Sequence, residues 1–412
     1  MFIINHKNVI IFTKKSLYML LFKKIMLFVV IFIAAINTQA QQNKIAVEGV
    51  LLDANGISIP FAAISIPVKN IGTTSTEEGQ FYLSLKPNNL QDTLVISSMG
   101  FKSYKIKIGD FIKRKINKII LEDAVTALAT VQIMNAKEFI INALKQAKST
   151  FVSDSHQLNL VYRRTNVEQD VSKFFVEHYM SIVYKGPKSY IKSMQVNQAR
   201  KSADYRIVKN PQWNHAAVYM MDLNPLKDYY TPIRKMDWKK IGDTTYDGED
   251  VIIFEGTKEN VDNVGNIMTT TLYIGYETNN IYKVESSVGK CVYQYAKNSE
   301  GKLYLSYHKR EYGGRNKISP LEQKLLKFKS PYVKHAYRHE AIVLGVITDK
   351  KEFTAKGYEE FDKDISKIEL PYNSEFWSNL SLPPDTEFYK KIKRELESNY
   401  GVPLETQFKY VN

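Results

Sequence analysis

From residue 44 onward, apolar side chains return at every second position in short runs, and turn dipeptides break the runs apart. Phe81, Leu83 and Leu85 alternate in this way, then Tyr104, Ile106 and Ile108, and much later Leu272, Ile274 and Tyr276. A period of two places such residues on one face of an extended chain, with the other face left polar. Asn55-Gly56, Glu78-Gly79 and Asp247-Gly248 supply the turns, where glycine takes positive φ at little cost. The pattern predicts a mainly β fold. At roughly 100–200 residues per domain, a chain of 412 residues holds two or three of them. Cys291 is the single cysteine, which excludes an intrachain disulfide and a four-cysteine zinc site.

The first forty residues follow other rules. They carry Lys7, Lys14, Lys15, Lys23 and Lys24 and no acid, then an unbroken apolar run from Ile25 to Ile36, then Asn37-Thr38-Gln39-Ala40. A basic flank, a short apolar stretch and a small-residue exit read as a secretory signal over 1–40. The run is too short for a bilayer core of about 30 Å. Extending it back to Leu17 would bury Lys23 and Lys24 at roughly 2.5–3.5 kcal/mol each, so no transmembrane span is expected after the signal is removed. Taking those five lysines from a net charge of +14 leaves +9. That excess favours anionic surfaces in general. Export and the lack of any recognition motif argue against nucleic acid.

Residues 44–122 read as a small β-sandwich. The pieces run in a recognisable order: Val47-Glu48-Gly49-Val50, then Pro60 to Ile66, then Gly72-Thr73-Thr74. Glu77-Glu78-Gly79-Gln80-Phe81, Leu94-Val95-Ile96-Ser97 and Gly100-Phe101 follow. This order resembles the carboxypeptidase regulatory-like domain, a transthyretin-like β-sandwich found at the front of many Bacteroidota-type envelope proteins. Glu77 stands where the family usually has aspartate, and Gly100-Phe101 where it has Gly-Tyr. The resemblance implies a rigid spacer or docking module without catalysis of its own.

A zinc carboxypeptidase would also need a His-x-x-Glu pair. Only His308 and Glu311 have that spacing, and they fall in an alternating strand, where residues three apart face opposite ways. An outer-membrane transport barrel needs about 22 strands, too many for the remaining chain.

Residues 123–153 read as a bridging helix, with Asn135 as cap, Glu138 in capping-box position, and Ile140, Ala143, Leu144 and Ala147 on one face. Residues 154–370 read as a larger antiparallel β-rich domain. Its turn-strand-turn series, strongest at Leu272–Tyr276 and Ile281–Val284, resembles the half-barrels of lipoprotein carriers. Such a sheet either holds an acyl chain in its concavity or fills it with side chains. His178, on an apolar strand face, reads as a core histidine. Lys/Arg-rich residues 309–330 lack alternation and read as a mobile loop. Residues 371–412 read as a docking segment around Phe376-Trp377 and a final helix, with Phe388, Ile392 and Leu396 stacked and Gly401 as its stop.

Binding candidates cluster in the irregular stretch 205–240. Trp213, Tyr219, Tyr229, Tyr230 and Trp238 could meet a sugar face or a protein if exposed, or anchor a loop if buried. Nearby Asp222, Asp228, Asp237, Asp243, Asp247, Glu249 and Asp250 are the acids a hydrolase would have to use. His335 and His339 have i, i+4 metal-pair spacing without a visible third ligand, and otherwise belong to a surface helix or strand. Cys291 reads as an inert buried thiol. The sequence thus points to an exported, non-enzymatic binding or scaffold protein of the periplasm or outer membrane. It needs no cofactor or metal, and an envelope protein, lipid or glycan would be its partner. A lipid or lipoprotein carrier and a hydrolase using acids in 222–250 are the alternatives.

Overall fold

The computed structural model describes residues 26, 44–114, 117–124, 135–208, 223–227, 232–259, 267–357 and 364–411. The expected signal segment 1–40 therefore lies, except for Met26, outside the described residues. So do four of the five aromatic candidates, Trp213, Tyr219, Tyr229 and Tyr230, and the acids Asp222 and Asp228. The chain divides into two units, Met1–Ile45 with Leu85–Asn88, and Ala46–Ser84 with Asn89–Asn412. The second is described below. Among the described residues, no helix is long and apolar enough to cross a membrane.

The molecule is mainly β. The first strands are β1 (Ile45–Leu52), β2 (Ala63–Ile66), β3 (Ile71–Thr74), β4 (Gln80–Leu85), β5 (Thr93–Ser97), β6 (Tyr104–Lys107) and β7 (Lys118–Ile120). They form the two layers of the expected sandwich, β4-β1-β7 and β3-β2-β5-β6. Phe81 and Leu83 alternate inward along β4, as their spacing predicts. Gly79 takes φ +76°, and a side chain there would meet the Leu51 carbonyl at 2.5 Å, so glycine is required at this turn.

Helix α1 (Ala136–Thr150) starts where the sequence indicates, the Asn135 side chain accepting from the Glu138 amide at 3.0 Å. Then come β8 (His156–Glu168), β9 (Val171–Tyr184), β10 (Ser193–Lys201), β11 (Asp237–Tyr246), β12 (Glu249–Glu259), β13 (Ile267–Gly275), β14 (Ile281–Ser286), β15 (Cys291–Lys297), β16 (Leu303–Lys317) and β17 (Tyr332–Ile347). Strands β11 to β17 pair in sequence, and β8, β9 and β10 continue from the other edge of β17, every ladder antiparallel. The result is a large curled half-barrel.

Of the two states left open for the concavity, the filled one is found: Ile140, Ala143, Leu144 and Ala147 of α1 pack into one core with Leu158, Leu160, Met180, Ile182, Leu272 and Ile274 from the strands. Gly345 of β17 pairs with Ile71 of β3, so the sheet of the sandwich runs on from the half-barrel. One expectation needs correction. Residues 309–330 are not a loop. β16 extends to Lys317 against β17, and helix α2 (Pro320–Leu325) turns the corner. Backbone pairing holds these strands while their side chains are charged on both faces, so alternation in hydropathy never shows.

The C-terminal helices are α3 (Ser374–Ser378), α4 (Glu387–Tyr400) and α5 (Leu404–Val411). Gly401 ends α4 at φ +67°, as expected. The buried face of α4 is Tyr389, Ile392 and Leu396, with Phe388 at its edge, one residue off the expected stripe. Phe376 lies 5.1 Å from Tyr179 by ring centroids, and the Arg200 guanidinium lies 4.4 Å over buried Trp377. The pair therefore docks on β9 and β10 rather than on the helix.

Candidate functional site

Adjacent arginines in β8 divide the polar interior between the two faces of the sheet. Arg163 points toward α4. Its guanidinium meets Glu177 at 2.6 Å, Asp385 at 3.5 Å and Glu340 at 3.6 Å, and lies 4.0 Å over the Tyr389 ring. Tyr307 and Tyr389 donate to the two Glu340 oxygens at 2.6 and 2.8 Å. Burial opposes ionisation of Glu177, but the Arg200 and Arg163 guanidiniums outweigh it and hold the carboxyl well below its usual range. Arg338 joins this face to the sandwich, meeting Glu311 at 2.6 Å and Glu77 at 3.3 Å.

Arg164 faces the other way and pairs with Asp364 at 2.9 Å. His178 and His339 lie on this side, fully buried. Burial, reinforced by Arg164, pushes His178 down to about 3 and His339 well below its usual value. His178 is the core histidine its strand position predicts. His335 and His339 lie in strand β17, and His339 is buried with its Nδ1 beside the Tyr162 hydroxyl. The helical alternative for the pair is therefore corrected. Even spacing puts both on one strand face, but four residues of strand separate them by roughly 13 Å, too far to share a metal. Among the described residues, no group of three His, Cys, Asp or Glu side chains could hold an ion.

Among the described residues, the remaining aromatic and acidic candidates lie at separate points. Trp238 is half-buried in β11, donates from Nε1 to the Ile233 carbonyl at 2.8 Å, and covers Gly256, its cross-strand partner. It anchors the sheet edge. Asp237 and Asp243 are exposed at separate points along β11. Asp247 accepts from Ser103 at 2.7 Å and meets Lys297 at 3.2 Å. Glu249 accepts from the Thr278 amide at 3.0 Å and from the Tyr282 hydroxyl. Asp250, opposite Thr245, is half-buried. His308 and Glu311 diverge along β16 as their spacing requires: His308 is buried with Nδ1 at 3.0 Å from the Val292 carbonyl, while Glu311 pairs with Arg338. Burial pushes the Cys291 thiol up to about 12, which suits an inert residue.

What the structure does assemble is a cleft of about 570 Å³ along the far half of the β16–β17 hairpin. Its volume falls within the range of small-molecule sites. Lys290, Arg315, Lys334 and Arg338 supply cations, and Glu311 is the one acid in the lining. Because Glu311 pairs with Arg338, the field in the cleft is set by the other three. Lys334 also meets Asp170 at 3.1 Å, but both side chains are well exposed, so that pair is weak and screened. Phe388 from α4 supplies a ring, with the Arg338 guanidinium 4.0 Å from its centroid; the Tyr312 and Tyr337 rings, stacked 5.1 Å apart, turn to the opposite face of the hairpin beside His339. Gly313 and Gly314 keep the wall low. A side chain at Gly313 would meet the His335 carbonyl at 2.8 Å, so only glycine lets the strands approach there. Sequence reasoning missed this site because it lies in the stretch read as a loop. The Tyr-Gly-Gly-Arg run at 312–315 was the available signal.

A family model of the CarboxypepD_reg-like domain matches residues 47–133. No curated protein matches the chain in sequence. Among solved structures, an outer membrane lipoprotein-sorting protein domain from Vibrio parahaemolyticus is similar at 11% identity and TM-score 0.27, covering 53% of this chain and 97% of that one. A DUF1329 family protein from Desulfovibrio piger matches at 9% and 0.27, covering 53% and 95%. A LolA superfamily protein from Nitrosomonas europaea matches at 16% and 0.17, covering 56% and 98%. The chain therefore carries a carboxypeptidase regulatory-like domain, followed by a curled antiparallel half-barrel.

Proposed function

We propose that this protein is a binding module of the cell envelope, exported by the lysine-flanked apolar run at 25–36, and that it works without a reaction centre. Its ligand is anionic and carries a ring or an apolar portion, as a lipid headgroup or an acidic glycan does. The observation that carries this reading is the cleft on the β16–β17 hairpin, where Lys290, Arg315 and Lys334 supply cations beside the Phe388 ring. Cations attract the charge and fix orientation, while the Phe388 ring gives apolar area at low entropic cost.

A carrier that swallows an acyl chain into the concavity is less well supported, because α1 fills that space. The test is native mass spectrometry of the purified chain after exposure to an envelope extract. A bound small molecule should be recovered unchanged and should be lost in the Arg315→Glu, Lys334→Glu double variant. A bound species that survives both substitutions removes the cleft from the proposal. Conversion of the molecule to a product of different mass would reveal a reaction centre.

A further inference from the structure

Beyond the cleft, the β16–β17 hairpin ends in a tip of unusual chemistry. Ser319 caps α2: its hydroxyl accepts from the Glu322 amide at 3.2 Å, and the Glu322 carboxylate accepts from the Ser319 amide at 2.8 Å. Pro320 sits at the first helical position, where its missing N–H costs nothing. This reciprocal cap makes the tip a fixed turn and sets Leu321 and Leu325 one turn apart on the same side. They are 66% and 72% exposed, with Leu326 and Tyr332 also exposed beside them. Polar residues normally fill such a turn.

Flanking the leucines in sequence are Arg315, Lys317, Lys324, Lys327 and Lys329, all exposed. The one acid between Arg315 and Lys334 is Glu322, and the cap engages its carboxylate. An aliphatic point with basic flanks matches the layers of an anionic membrane surface. Leucines favour the headgroup–acyl boundary, lysine stems can lie along apolar surface while their ammonium groups reach out, and phosphates outside meet the charge. The cations come from the end of β16, from α2 and from the turn after it, with Glu322 as the one acid among them, which fits the spread charge of a headgroup layer.

We propose that the hairpin tip docks on an anionic lipid bilayer, with Leu321 and Leu325 entering the interface and the flanking lysines meeting headgroup phosphates. The inference does not depend on a ligand in the cleft.

The experiment uses the full chain with Leu325→Cys carrying an environment-sensitive fluorophore. The native Cys291 is buried and stays unlabelled. Vesicles of phosphatidylethanolamine with phosphatidylglycerol should raise and blue-shift the emission, whereas phosphatidylcholine vesicles should not. The same label at exposed Asn55→Cys should stay silent. Reversing Lys317, Lys324, Lys327 and Lys329 to glutamate should raise the lipid needed for half-response by at least about tenfold. That control separates tip docking from attachment through residues 25–36. Leu321→Cys serves as a second reporter position. An unchanged signal from both tip positions on phosphatidylglycerol vesicles overturns the proposal. So does a signal that is equal on phosphatidylcholine and indifferent to charge reversal.

Discussion

The two ends of the curled sheet are built from opposite materials. At one, α1 seals the concavity with Ile140, Leu144 and Ala147 against Phe254, Leu272 and Ile274, all fully or nearly fully buried. At the other, the β16–β17 hairpin runs on past the core with charged side chains, a glycine pair, stacked tyrosines and an exposed leucine tip. The same antiparallel backbone ladder supports both. At the sealed end, the side chains hold the fold together. At the open end, backbone pairing holds the strands, and Arg315, Lys317, Leu321 and Leu325 stay exposed to solvent. That division is why we place function at the hairpin.

The comparison breaks first if the sealed end proves dispensable. Leu144→Ala removes a buried side chain from the interior face of α1 and should cost about 2–5 kcal/mol of stability, read as a lower urea midpoint. A loss well under 1 kcal/mol would mean that α1 sits loosely and the concavity can open. That outcome would revive the acyl-carrier reading.

Buried histidines near the middle of the sheet sharpen the contrast through pH. His178 titrates near 3 in the folded protein against about 6.5 in an unfolded chain. Between those values the unfolded state binds more protons, so stability rises with pH across the window. It is fully present above about 6.5 and is lost as pH falls toward 3. His339 is displaced in the same direction, and the low-lying carboxyls of Glu177 and Asp364 add their own loss at more acid pH. His178→Gln should flatten the dependence of the urea midpoint on pH between about 7 and 4. An unchanged slope would show that His178 is not the group responsible.

How much of this could be read from sequence follows the same boundary. The sandwich and α1 were legible because hydropathy alternates or recurs there, and because Asn135 and Glu138 mark a helix start. The segment from Lys309 to Tyr332 was opaque for a physical reason. Glu311 and Arg338 satisfy one another across the β16–β17 pair, and both Arg338 and Lys309 reach Glu77, more than 200 residues away. Their burial depends on partners that local periodicity cannot reveal. His335 and His339 were ambiguous because four residues return to the same face in a helix and in a strand alike. The register Gly345–Ile71, which makes the sandwich continuous with the half-barrel, left no mark in either segment.

The smallest expected effect on stability is the most informative about function. Arg315 and Lys334 lie in the cleft wall, exposed, in strands held by backbone pairing at Arg315–Lys334 and Asn316–Val333. Replacing both by glutamate removes no buried contact and leaves no buried group without a partner, so the urea midpoint should correspond to a change within about 0.5 kcal/mol. Any ligand of the cleft should meanwhile be lost, since two attractive charges become repulsive. A double variant that unfolds as readily as Leu144→Ala would show that these cations hold the hairpin itself. The distinction between a sealed structural end and an open binding end would then collapse into a single cooperative sheet.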